Sequence, residues 1–180
     1  LHGGVEKVLS QKLNYLAEIH NYSIYLVTIE NKNNTFCYKI TDKVCHSNLA
    51  INYYRSKSFF NFFNLLKLPF HIYSLNKKIK EIKPDVIVSC NYSFDFYFLP
   101  YISNGIKIIK EYHSSRYFYV KNLPNLNYFK KIIEKINNLI EKKYDYLVIL
   151  NKDEEKYFNS KNTHVIPNPT LDFGFSNYDN

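Results

Sequence analysis

Residues 82–113 read IKPDVIVSCNYSFDFYFLPYISNGIKIIKEYH, and the order of their parts predicts the fold. Pro84 and Asp85 end whatever helix precedes them. DVIVSC (85–90) is a nearly continuous apolar run of the kind buried on both faces of a parallel sheet. DFYFLPYI (95–102) is a short helix candidate with Pro100 marking its limit, and IKIIKEYH (106–113) is the next strand. A strand, a helix and a second strand in this order imply a crossover, and a crossover makes the two strands parallel.

The same alternation continues in both directions. Downstream, a basic amphipathic stretch from Asn125 to Lys143 carries Phe129, Ile132, Ile133, Ile136, Leu139 and Ile140 on one side, as a crossover helix packed on a sheet would. DYLVILN (145–151) follows as a strand. Asn151 stands three residues before Glu154, an N-cap with a reciprocal carboxylate, so 152–158 is expected to be a helix. THVIP (163–167) is a last strand before Asn168-Pro169, and 170–180 has no periodicity and is expected to be a linker. Upstream, SFFNFFNLLKLPFHIYSLNKKIKEIK (58–83) is helical in period, and Pro69 should start, kink or divide it. SIYLVTI (23–29) is a strand, ENKNNT (30–35) a loop, and Phe36–Ile40 with Val44 a weaker strand candidate. From Gly4 onward, Val5, Val8, Leu9, Leu13, Leu16 and Ile19 share one helix face.

These elements predict one α/β domain over 1–169, with a doubly wound, Rossmann-like parallel sheet. Such a domain opens on a strand that leads through a glycine turn into the first helix. Only Leu1 and His2 precede Gly3-Gly4, so the first strand is expected to lie upstream, leaving an unfilled sheet centre. The chain also has no methionine, which leads to the expectation of a processed chain or a fragment.

Composition agrees with one globular domain: 180 residues, 46% hydrophobic and 22% charged, with only 4 glycines. The formal charge of +8 invites a nucleic-acid or anionic-membrane partner, although scattered lysines on solvated helix faces explain it as well. No RRM, KH or helix-turn-helix signature accompanies the charge, so nucleic acid is not expected. The odd count of three cysteines, Cys37, Cys45 and Cys90, argues against a disulfide framework and suits a reducing cytoplasm. No apolar run is long enough to span a membrane.

Among motifs, Gly3-Gly4 at a helix start offers unobstructed backbone N–H groups to a phosphate or diphosphate, or makes a tight strand-to-helix turn. Glu6, one turn into the helix, complements the helix dipole or contacts the ligand. The G-x-G-x-x-G fingerprint is absent, as are a G-x-S-x-G elbow, a P-loop and H-E-x-x-H. His20, His46, His71 and His164 lack the spacing of a metal site, and no metal is expected.

LHGGVEKVLSQKLNYLAE (1–18) resembles the glycine loop and first helix of family 4 glycosyltransferases. IKPDVIVSC, IIKEYHSS, DYLVILNKDEEKYF and THVIPNP continue the likeness in order through 169. The resemblance implies the amino-terminal, acceptor-side half of a GT-B fold, whose donor-binding domain would lie outside these 180 residues. It further implies a metal-independent, retaining transfer of sugar from a nucleotide donor to a cell-surface glycan or lipid-linked acceptor, and no transfer by this segment alone. Gly3 and Gly4 would then approach the donor diphosphate. His113, at a strand end where open α/β sheets place their ligand crevice, would contact the transferred sugar or the acceptor, with a structural histidine that caps the loop as the other reading. Glu111 would orient His113 or anchor a sugar hydroxyl, and Arg116 would meet an anionic acceptor group. Ser114, Ser115 and Asn91 complete the substrate-side candidates, with ordinary loop polarity as the other explanation for Asn91 and its neighbour Tyr92. A related nucleotide-sugar epimerase, a basic binding module and a non-catalytic remnant are the alternatives.

Phe59, Phe60, Phe62 and Phe63, followed by Lys77, Lys78, Lys80 and Lys83, suggest a surface that rests on an anionic membrane, the inner face of the plasma membrane for a cytoplasmic enzyme. The competing reading places the Phe side chains in the core and the Lys side chains in water.

Overall fold

The computed structural model describes residues 4–20, 22–30, 36–54, 60–90, 93–117, 121, 128–158 and 160–169, without the side chains of 129 and 130. The chain is α/β, with six strands in a two-stranded and a four-stranded parallel sheet. It divides into two compact units, one from the described parts of 1–26, 35–46 and 168–180, the other from those of 27–34 and 47–167.

In the first unit, α1 (Gly4–Glu18) turns Ser10, Leu13 and Ala17 inward. Leu13 and Ala17 pack with Val44, Ile24, Leu26 and Ile40. Ile19, expected on that face, is exposed. The Asn14 side chain donates to the Lys39 carbonyl at 3.0 Å and accepts from the Thr41 N–H at 2.8 Å. That side chain takes up the backbone groups a ladder would need, and 36–40 forms no strand; β2 is Val44–Asn48, paired with β1 (Ile24–Thr28).

In the second unit, α2 (Phe62–Ile82) is one helix that runs through Pro69. Proline removes one backbone hydrogen bond, but Leu65 and Pro69 both lie on an exposed side, where water can reach the freed carbonyl. Asn61 caps its start through the Asn64 N–H, and Lys83, at φ 52, closes its end by donating to the Ile79 carbonyl at 2.8 Å. β3 (Val86–Ser89), α3 (Asp95–Ile102), β4 (Lys107–Glu111), α4 (Tyr128–Glu141), β5 (Tyr146–Ile149), a 3-10 turn (Lys152–Tyr157) and β6 (Thr163–Val165) follow. The sheet order is β3-β4-β5-β6, all parallel. Pro100 lies within α3 rather than at its limit. Gly105, at φ +83, supplies the turn into β4.

Register sorts the side chains of this sheet onto two faces. Ile108, Tyr112, Leu147 and Ile149 share a core with Ile79 of α2, Phe96 and Leu99 of α3 and Ile140 of α4. Within this unit these helices therefore cover one face. On the other face Val86 and Val88 remain 46% exposed, so β3 is not buried on both sides as its composition predicts. It is the edge of the four-stranded sheet, and an apolar run cannot tell an edge from a centre.

α4 corrects a second expectation. Ile140 is buried, but Ile132, Ile136 and Leu139 are exposed, Leu139 at 62%. The inward side carries Glu134 and Glu141 instead, because both bind a buried arginine.

Candidate functional site

Parallel strands end on the same edge, and β3 and β4 bring their last residues together there. The pairing Val86↔Lys107 through Ser89↔Lys110 has a constant offset, which carried one step further sets Cys90 beside Glu111. Cys90 Sγ lies 3.5 Å from Glu111 Oε2, and His113 Nε2 lies 3.4 Å from the same oxygen. The ligand atoms of all three residues fall within 4.8 Å of one another. The His113 and Glu111 side chains are 9% and 6% exposed. Neither ring nitrogen of His113 has a hydrogen-bond partner among the described residues. Alternation puts Glu111 on the sheet face opposite Lys110, away from the helices.

The following residues belong to the next strand's loop. Ser114 is exposed, and with Tyr112, Ser115, Ile149, Asn151 and Phe158 it lines a pocket of about 80 Å³. Ligand pockets usually measure roughly 300–1,000 Å³, so this one takes a hydroxyl or a water rather than a whole sugar nucleotide.

Arg116, expected to meet an acceptor anion, is occupied inside the protein. Its guanidinium donates to both Glu141 oxygens at 2.8 and 2.9 Å, to Glu134 at 2.6 Å and to Asn138 at 3.0 Å, and it lies over the Phe158 ring. Tyr112 adds a 2.7 Å hydrogen bond to Glu141. Burial by itself lowers the guanidinium pKa, but Glu141 and Glu134 more than reverse this and hold it above the ordinary value. Asn151 caps the 3-10 turn through the Glu154 N–H, as expected. The reciprocal half of that cap does not form: Glu154 instead accepts from the Ser115 hydroxyl at 2.6 Å and the Arg116 N–H at 2.8 Å. A carboxylate read as a local cap therefore ties the loop after β4 to the turn after β5.

Gly4 is the first residue of α1, and a Cβ there would meet nothing within 4 Å. It belongs to the other compact unit. Gly3, Asn91 and Tyr92 lie outside the described residues.

Two groups escaped sequence reasoning. Cys90 carries no motif, yet its position at the end of one strand, with Glu111 at the end of the next, was sufficient once the strands are parallel. Lys110 is fully buried, 3.3 Å from the Ser89 hydroxyl, which in turn donates to Asp95 at 3.0 Å. Burial lowers its pKa against the opposing pull of Asp95. Strict alternation after Ile108 was the signal that placed it inside.

Compared with known proteins, the chain matches no family model and no curated sequence.

Proposed function

We propose that this chain is the acceptor-side domain of a glycosyltransferase that moves a sugar from a nucleotide donor to a glycan or lipid-linked acceptor. The observation that carries the reading is the meeting of Glu111, His113 and Ser114 at the carboxyl end of a parallel strand, where open α/β sheets bind their ligands. The ordered motif likeness over 1–169 points the same way. His113 contacts the sugar or the acceptor hydroxyl, Glu111 orients the ring, and Ser114 stands at the rim. The family likeness adds Gly3 and Gly4 as the approach to the donor diphosphate, retention of configuration and a donor-binding second domain. Arg116 has no part in binding, because its charge is used within the fold.

The test is release of free nucleotide by the complete gene product from a panel of nucleotide sugars, with and without lipid-linked acceptors. His113→Ala should lower kcat/KM by roughly 10- to 100-fold, the worth of a hydrogen bond to a charged or reacting group. No release from any donor sinks the reading.

The acceptor's setting is proposed to be the inner face of an anionic membrane. Phe62, Leu66, Phe70 and Tyr73 follow helical spacing along α2, each more than half exposed, and Lys77 and Lys80 extend the same stripe. Their exposure opposes the reading that the phenylalanines fill the core. Among the described residues no helix is long and apolar enough to cross a membrane, and a surface stripe needs none. Flotation with anionic vesicles tests the contact: it should weaken in salt and on Phe62→Ser with Phe70→Ser, and absence of binding at any salt concentration removes it.

A further inference from the structure

We infer that Cys90, Glu111 and His113 form a zinc-type metal site at the tips of β3 and β4. Tetrahedral zinc binds sulfur at about 2.3 Å, oxygen at about 2.1 Å and imidazole nitrogen at about 2.05 Å. Those lengths require the sulfur and oxygen ligands to stand about 3.6 Å apart, and the nitrogen and oxygen about 3.4 Å. The distances through Glu111 Oε2 are 3.5 Å to Cys90 Sγ and 3.4 Å to His113 Nε2. The third separation, from Cys90 Sγ to the His113 nitrogen, is bounded by 4.8 Å where tetrahedral zinc needs about 3.6 Å, so the imidazole and thiol close on each other as the ion binds.

Burial supplies an independent argument. The His113 side chain is about nine-tenths buried with neither nitrogen hydrogen-bonded among the described residues. Such an imidazole is a burden on the fold unless something engages it. One divalent ion engages Nε2, Oε2 and Sγ together. Binding releases the thiol proton to solvent, and the +2 ion with thiolate and carboxylate is then neutral, which suits a dry setting. Sulfur, nitrogen and oxygen ligands in one set favour Zn²⁺ or Co²⁺ over Mg²⁺ or Ca²⁺. Three protein ligands leave a fourth position for water or a substrate oxygen. The other ring nitrogen, Nδ1, has no acceptor among the described residues, and a missing partner of that kind costs roughly 10- to 100-fold in affinity. Micromolar binding is therefore expected.

This inference does not rest on the sugar-transfer reading, and it withdraws Nε2 from that reading whenever metal is bound. The two are tested apart: transfer is assayed with chelator, and metal binding without any sugar. The full chain, kept reduced, is titrated with Co²⁺ and the thiolate-to-cobalt charge-transfer band is followed, after which Zn²⁺ competition gives stoichiometry and affinity. One Zn²⁺ per chain is expected. Cys90→Ser should abolish the band, His113→Gln should weaken Zn²⁺ binding at least tenfold, and Cys45→Ser should change neither. Far-ultraviolet circular dichroism of each variant separates loss of ligand from loss of fold. A folded parent with no band overturns the inference, as does a band that survives Cys90→Ser or disappears with Cys45→Ser. Should Cys90→Ser unfold, Glu111→Gln replaces it, and unaltered Zn²⁺ affinity in that folded variant likewise overturns the site.

Discussion

His113 and Arg116 stand three residues apart on the same loop, with side chains 9% and 7% exposed. The arginine makes four hydrogen bonds to two carboxylates and an amide, while the histidine makes none among the described residues. Depth alone therefore does not separate a structural polar group from one held for a ligand. What separates them is whether the fold has already used their hydrogen-bonding capacity.

The arginine side of this contrast carries the largest expected effect. Arg116→Met leaves Glu134 and Glu141 buried without their cation, which costs about 3–5 kcal/mol. Urea unfolding should show the loss, and a change below about 1 kcal/mol would mean the network contributes little. Replacing Glu134 and Glu141 by Leu in the Arg116→Met background should recover much of it, since apolar groups of similar volume need no partner.

Glu154→Ala comes next. It strips the acceptor from the Ser115 hydroxyl, which water can reach, and from the buried Arg116 N–H, whose loss of a partner costs about 1–3 kcal/mol. Glu154→Gln keeps one acceptor oxygen and should lose less. If both variants melt with the parent, the loop after β4 is not held by this residue.

A second histidine sharpens the comparison through pH. His71 is fully buried, with Nδ1 2.8 Å from the Tyr53 hydroxyl. Burial depresses its pKa, opposed by the charge of Asp95. The unfolded chain then takes up the proton first as pH falls, so stability is complete above about pH 6.5 and declines below it as pH approaches the folded value. The decline cannot exceed about 1.4 kcal/mol per pH unit for one group. Denaturant midpoints measured at successive pH values should show this limb, and His71→Leu should flatten it between about pH 6.5 and 5.5.

The sequence carried the strand–helix alternation of 82–165, the short helix 95–102 and the Asn151 cap, because each depends on local period or a local hydrogen bond. It did not carry which side of an element is covered. β3 read as doubly buried although its position at the sheet edge leaves Val86 and Val88 open. α4 offered an apolar side, yet the face that turned inward was chosen by Arg116, a residue outside the helix. Of the site, Glu111, His113 and Ser114 were legible as a strand terminus. Cys90 was not, since its partner stands 21 residues away and only strand register joins them.

The smallest expected effect completes the contrast. His113→Leu removes an imidazole that contributes no hydrogen bond among the described residues, in a site of the same depth as Arg116. An apolar side chain of similar volume has no polar atoms to leave unsatisfied. Measured with chelator present, stability should stay within about 0.5 kcal/mol of the parent, or rise slightly. Added Zn²⁺ should then stabilise the parent and leave the variant unmoved, because a ligand raises stability only through the state that binds it. A metal-free loss as large as that of Arg116→Met would show that His113 serves the fold after all, and the distinction drawn between the two residues would fail.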